Sequence, residues 1–521
     1  SIKERRIMDV KNIILSASIG VSAIACTSNQ PSSKEQKPNI IFIMTDDHAT
    51  QALSCYDSYR NQTPNLDKLA SQGVLFKNAF VTNSICAPSR AVILTGMHSH
   101  LNGVKNNHTP FDSSKVTFPK ILQDNGYETA IVGKWHLKSQ PTGFDYWKVL
   151  PGQGNYYNPD FIEMGEKVQE EGHSTDLITD FSLEWLKQRD QDMPFTLMVH
   201  FKAPHRNWMP PVTLLDTLDK RKFPVPGTYF DRYEGREHLN QQKLTVAEHM
   251  DYQWDLKIPC DTCPVVEVNR GAHDRFGQIL NRMTNEQREA WEKGYRDEIR
   301  FFNQHNLSGN MLDIWKYQRY MEDYLRCIIS VDENIGRLMD YLELKNLDEN
   351  TLVIYTSDQG FFLGEHGLFD KRYMYEESFK TPLIIRYPNK VKASQKNDYL
   401  VQNLDIAPTI LDFAGVSIPD FMQGESMKRL VLENGEKEWR DAVYYHFYEK
   451  GWGVASHYGI RTKRFKLIHF YDPVDHWELY DLKNDPNEVN NLYGNPDFKD
   501  TIKELKNKLD KLQSDYKVPN Y

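Results

Sequence analysis

Four short runs of unbroken apolar residues, each ending in charged or histidine side chains, constrain this chain most. NIIFIMT (39–45) runs into Asp46-Asp47, and AIV (130–132) runs into Gly133-Lys134-Trp135-His136. FTLMVHFK (195–202) runs into Ala203-Pro204-His205, and LVIY (352–355) runs into Thr356-Ser357-Asp358-Gln359. Apolar runs of this length without alternation fit strands buried on both faces, so they predict an α/β fold with a mostly parallel sheet covered by helices. In such sheets a site lies outside the carboxyl ends of the strands. The four polar tails are therefore expected to meet at one sheet edge.

The rest of the chain is read around that sheet. With 521 residues it exceeds one compact core, and 40% hydrophobic content excludes a disordered chain. The net charge of -9 gives no sign of a nucleic-acid partner, and an anionic substrate would need a locally basic site. Residues 317–342 carry apolar positions at alternating spacings of four and three, which predicts a long helix packed on the sheet. Residues 206–312 show no clear strand and read as an insertion near the site. The last 85 or so residues turn rich in Tyr, His and Lys, with strand-like pieces at 444–448 and 465–469 and a helix at 498–511. The expected organisation is a signal over residues 8–26, a tether over 27–37, a main domain built on the sheet over 38–435 and a smaller C-terminal α+β domain over 436–521.

Residues 13–25 (IILSASIGVSAIA) have the length of a signal-peptide apolar region and are too short to span a bilayer. Cys26 follows Ala23-Ile24-Ala25 as in a bacterial lipoprotein, against the alternative of an ordinary cleaved signal. Membrane contact is then expected through a lipid anchor alone, with the protein exported to the periplasm or outer membrane of a Gram-negative bacterium. Export permits disulfides. Cys260 and Cys263 lack the second pair or histidines of a zinc site, which leaves a local disulfide or two free thiols.

Asp46-Asp47 alone would pass for helix caps. Asp358-Gln359, in the same place after another strand, changes that reading. Three carboxylates and an amide oxygen gathered at one edge repel unless a cation neutralises them. All-oxygen ligands point to Ca²⁺, with Mg²⁺ the alternative. Cys86-Ala87-Pro88-Ser89-Arg90 would place Cys86 at a helix N-terminus, which favours an anion. A thiolate is a poor partner for a hard cation, so the working group there is not expected to be a thiol.

Cys86-x-Pro88-Ser89-Arg90-x-x-x-Leu94-Thr95-Gly96 resembles the signature of type I sulfatases in the alkaline phosphatase superfamily, and Gly133-Lys134-Trp135-His136-Leu137 resembles their second signature. The resemblance spans roughly residues 38–490 and implies an alkaline-phosphatase-like fold. It implies that a maturase oxidises Cys86 to formylglycine, whose hydrate is the nucleophile. It implies Asp46, Asp47, Asp358, Gln359 and residue 86 as metal ligands. Asp358 would help deprotonate the nucleophile, with Arg90 stabilising the alkoxide. Lys134 and Lys371 would neutralise sulfate oxygens, His205 would protonate the leaving alcohol, and His136 would take a proton from the second hydroxyl. Two positions depart from the pattern: Gln359 stands where Asn is common, and Lys138 where Gly is usual.

Segments 358–379, 151–161 and 202–208 are most similar to those of bacterial N-acetylglucosamine-6-sulfatases. The resemblance implies a sulfated oligosaccharide substrate carrying 6-O-sulfated N-acetylglucosamine or N-sulfoglucosamine, from heparin, heparan sulfate or mucin. Tyr156, Tyr157 and Trp208 are candidates to stack on a sugar, and His457 and Arg461 to reach its hydroxyls. The rivals are a sulfatase of another carbohydrate position, a phosphodiesterase of the same superfamily, and a silent glycan-binding lipoprotein.

Overall fold

The computed structural model describes residues 36–519, apart from residue 220, residues 267–270 and residues 433–437. The expected signal, the tether up to residue 35, Cys26 and the expected boundary at 435/436 lie outside the described residues. Residues 37–521 form one compact unit.

All four apolar runs are strands, and they lie side by side. Glu128–Lys134, Phe195–His200, Asn39–Thr45 and Thr351–Ser357 are consecutive and parallel in a ten-stranded sheet. Tyr146–Leu150 extends it in parallel, followed by the antiparallel strands Asp160–Glu163 and Glu166–Gln169. On the other side Leu383–Arg386 and Val74–Phe76 run antiparallel to their inner neighbours, with Gln395–Asn397 at the edge.

Side chains alternate across the sheet, so an uninterrupted apolar run must feed two cores. Ile41, Ile43, Leu197, Val199, Val353 and Tyr355 enter one, beneath the long helix Gly309–Leu344. Ile40, Phe42, Met44, Met198, Leu352 and Ile354 enter the other, with the helices Cys86–Thr95 and Ile406–Phe413. The predicted helix at 317–342 thus exists and extends at both ends. The insertion has no strand among its described residues but holds a 21-residue helix, Asn285–His305, opened by a Thr284/Gln287 capping box. Cys260 and Cys263 form a disulfide within it.

The C-terminal part is a four-stranded antiparallel meander, Ala442–Phe447, Ser456–Thr462, Phe465–Asp472 and His476–Asp481, backed by the helix Lys499–Asp515. One face packs against the part that carries the large sheet: Val443, Tyr445, Phe447, Ile468, Phe470 and Tyr480 share a core with Ile85, Tyr373, Met374, Tyr375 and Phe379. The meander therefore supports the segment that follows Lys371. No helix among the described residues is long and apolar enough to cross a membrane.

Candidate active site

The strand ends deliver their polar residues to one place. Asp46 and Asp47 follow the first strand, Asp358 and Gln359 the adjacent one, and all four are fully buried. Carboxylate oxygens of Asp46, Asp47 and Asp358 lie within 4.8 Å of one another. Asp47 adopts a φ of 67°, and its backbone N–H donates to Asp358 Oδ1 at 3.1 Å. Gly133 allows the second signature to leave its strand here. Its φ is 109°, and a Cβ would lie 1.9 Å from the His200 carbonyl oxygen.

Cys86 is the first residue of its helix and is buried beneath this cluster. Its Sγ lies 3.5 Å from Asp46 Oδ1 and 3.6 Å from Gln359 Nε2. Burial pushes the thiol up to about 12, outweighing the pull of Lys371 and Arg90. An unmodified Cys86 is thus a protonated, inert thiol at neutral pH.

Three basic side chains face the three carboxylates, and burial, with Lys202 beside it, holds Lys134 well below the ordinary lysine value. Arg90 donates to Asp358 Oδ2 from Nε at 3.1 Å and Nη2 at 2.9 Å, and from Nη1 to the Lys134 carbonyl at 2.6 Å. Lys134 donates to Asp46 and to Gln153 Oε1. Lys371 Nζ lies 2.7 Å from both oxygens of Asp47. Burial still holds Asp47 up at about 6, against the pull of Lys371. His205 Nε2 lies 3.8 Å from Asp47 Oδ2, while its Nδ1 pairs with the Arg206 carbonyl at 2.5 Å. Burial, then Lys134, Lys371 and Lys202, hold His205 well below the usual histidine range. His136 is lowered by burial and Lys134, and its buried Nδ1 has no partner among the described residues.

The donor set fits a hard divalent cation. Gln359 Oε1 is buried without a hydrogen-bond partner among the described residues, a costly state for an amide oxygen and the one a metal ligand needs. Three carboxylates beside it complete an oxygen-rich cradle.

The residues predicted for catalysis and metal binding lie together here; of the predicted sugar contacts, Tyr156 borders them, with Lys202 Nζ 4.7 Å above its ring and its hydroxyl on the His205 carbonyl, while His457 and Arg461 are engaged elsewhere. His457 is a correction. It is fully buried, with Nδ1 on the Ala455 carbonyl at 2.8 Å and Nε2 accepting from the Met374 N–H at 3.2 Å, so both ring nitrogens are engaged. It positions the segment after Lys371. Arg461 is likewise occupied, 3.2 Å from Glu376. Tyr156, Tyr157 and Trp208 are packing residues, at most 2% exposed. The two tyrosine hydroxyls donate to the His205 and Pro210 carbonyls, and Trp208 stacks at a tilt on Tyr320.

Two members of the site escaped prediction. Lys202 is buried, donates to the Gln153 carbonyl at 3.2 Å, and is lowered by burial to about 8. Gln153 receives Lys134. Lys202 closes the same apolar run that leads to His205, and that position was its available signal. Lys138 has a φ of 54° and is exposed, so the preference for Gly there follows from the backbone.

A sulfatase model matches residues 38–416, and a model for the C-terminal region of N-sulphoglucosamine sulphohydrolase matches residues 364–515. The chain belongs to the sulfatase family, and its fold is the alkaline-phosphatase-like fold of that family. An N-acetylglucosamine-6-O-sulfatase of Bacteroides thetaiotaomicron is 47% identical over 504 residues, covering 95% of this chain and 89% of that protein. The human N-acetylglucosamine-6-sulfatase is 25% identical over 476 residues, covering 85% and 72%. A solved structure of a protein in complex with its substrate D-glucosamine-2-N,6-O-disulfate matches with a TM-score of 0.90 at 47% identity, covering 93% of this chain and 99% of that one.

Proposed function

We propose that this chain hydrolyses the 6-O-sulfate ester of N-acetylglucosamine or N-sulfoglucosamine in glycosaminoglycan or mucin glycans. The observation that carries the reading is the burial of Cys86, at a helix N-terminus, against Asp46, Gln359 and the neighbouring carboxylates. The sugar rests on the 47% identical relative named for that activity and on the similar structure holding glucosamine disulfate.

A maturase would convert Cys86 to formylglycine, whose hydrate would supply an oxygen nucleophile; the chemistry a divalent cation such as Ca²⁺ would supply when bound is a lower pKa for that hydroxyl. Asp46, Asp47, Asp358 and Gln359 would hold that ion together with residue 86. Asp358, anchored by Arg90, would draw a proton from residue 86. Arg90 balances the negative charge left there. Lys134, Lys202 and Lys371 supply the local positive field that an overall acidic chain needs for an anionic ester. His205 Nε2 is the acid for the leaving alcohol. The sulfate offsets the lysines that keep this ring neutral, so substrate binding itself favours its protonation. His136 Nδ1, neutral and without a partner, is the acceptor for the proton that ends the cycle. Export as a lipid-anchored lipoprotein fits a scavenger of extracellular polysaccharide.

The test is sulfate release from 6-O-sulfated N-acetylglucosamine by protein coexpressed with the maturase, beside 2-O-, 3-O- and 4-O-sulfated sugars. Mass spectrometry of the peptide containing residue 86 accompanies it. Aldehyde with release from the 6-O ester alone is the expected result. Aldehyde with release from another position would reassign the sugar, and an unmodified thiol in correctly coexpressed protein would favour a silent glycan-binding protein.

A further inference from the structure

Away from the catalytic cluster, the C-terminal meander meets the insertion at a group of side chains that sulfate-ester hydrolysis does not use. His476 and Glu478 stand two residues apart on the strand His476–Asp481, so they project from one face of it. His238 reaches them from the short turn Glu237–Gln241 of the insertion. Ligand atoms of the three residues lie within 4.8 Å of one another. His238 Nε2 is 2.7 Å and His476 Nε2 3.7 Å from the same oxygen, Glu478 Oε1.

The carboxylate is held for this arrangement. Glu478 is fully buried, and its other oxygen, Oε2, accepts from the hydroxyls of Tyr375 and Tyr480, each at 2.8 Å. Tyrosines orient the acid from behind and leave Oε1 facing both imidazoles, as partners behind a metal ligand do. Glu478 Oε1 bonds only one imidazole well: His476 Nε2 is left at 3.7 Å, with Asn491 Nδ2 as a weak neighbour at 3.5 Å. Asn491 is itself fixed to the carbonyls of Gly235 and Trp477, each at 3.1 Å. The His476 side chain is 31% exposed, which gives an ion a way in from solvent.

We propose that His238, His476 and Glu478 form a second metal site, selective for a zinc-type divalent cation, that clips the insertion to the C-terminal meander. Two imidazole nitrogens and one carboxylate oxygen are a donor set for Zn²⁺, with Ni²⁺ and Cu²⁺ close rivals, and a poor one for Ca²⁺ or Mg²⁺. The oxygen-lined catalytic cluster has the opposite preference. Through Tyr375 the clip reaches the segment that carries Lys371, so an ion there would stiffen that segment without touching substrate.

The full chain, stripped with chelator and then saturated with Ca²⁺ to fill the oxygen-lined site, is titrated with Co²⁺ and followed by visible absorption, with Zn²⁺ as competitor. The expected result is one equivalent of Co²⁺ bound with a ligand-field band that Zn²⁺ abolishes, and a Tm raised by Zn²⁺. H476A should bind at least tenfold more weakly and lose the Zn²⁺-dependent Tm rise. Its sulfatase rate in Ca²⁺ alone should stay within twofold of the wild type. H238Q provides a second loss of one ligand from the other side of the clip. Absence of saturable Co²⁺ binding in the Ca²⁺-loaded protein would overturn the proposal. So would binding that survives in both variants but is lost in D47N, because the ion would then sit in the catalytic cluster.

Discussion

Lys371 Nζ stands 2.7 Å from both carboxylate oxygens of Asp47, a buried pair formed between the tail of a central strand and the segment braced by the C-terminal meander. Removing such a charge from a dry site leaves the acid uncompensated and the sulfate without a partner. Lys371→Ala should lower kcat/KM on 6-O-sulfated N-acetylglucosamine by roughly 10²–10³. A loss under twofold would remove Lys371 from the machinery.

Cys86→Ala should abolish turnover and leave the fold intact, because the exchange trades one small buried side chain for another. Steady-state sulfate release and the melting curve report the two outcomes separately. Measurable turnover in the variant would refute residue 86 as the nucleophile.

Lys202 is buried and sits above the Tyr156 ring at 4.7 Å, on the same positive side as Lys134. Lys202→Met keeps the stem volume and removes the charge. A fall in kcat/KM of roughly ten- to a hundredfold with little change in Tm is expected. Unchanged kinetics would make Lys202 a packing residue.

Trp208 is wholly buried against Tyr320. Trp208→Ala should cost about 3–5 kcal/mol in denaturant unfolding. If it stacked on the sugar instead, KM would rise while stability held.

Asp47 is raised by burial from an ordinary carboxylate value to about 6. A raised carboxylate binds its proton more tightly folded than unfolded, so this group favours the metal-free fold at low pH. That contribution fades as pH climbs from about 4 to 6. A divalent cation held there would need the ionised form, so its affinity should fall as pH drops below about 6. Calorimetric titration at pH 7 and pH 5 checks this. Equal affinity at the two values would place Asp47 outside the metal set.

The sheet and the gathering of Asp46, Asp47, Asp358 and Gln359 at its edge were legible because their signals are local and repeated. A short apolar run bounded by polar residues fits an inner strand buried on both faces, and the residue after it then lies at the sheet edge. Asp46, Asp47, His205, Asp358 and Gln359 were placed by that rule, while the signature around Cys86 marked the helix that meets them. The sugar-contact candidates failed because an aromatic or histidine in a loop has no comparable rule. Whether His457 faces solvent or Met374 depends on how the meander packs, and nothing in its neighbours in the chain encodes that. Lys202 was passed over for the converse reason: a lysine ending a strand usually reaches water, and only the fold buries it beside Gln153.

The sequence by itself determined the parallel core, the helix opening at Cys86 and the oxygen-rich donor set, since each follows from the order of residues within a few positions. Tertiary structure alone decided which cation meets which carboxylate, which histidines stay neutral, and that the C-terminal meander braces the segment carrying Lys371. Those outcomes depend on burial and on distances between residues hundreds of positions apart, and both arise only when the chain has packed.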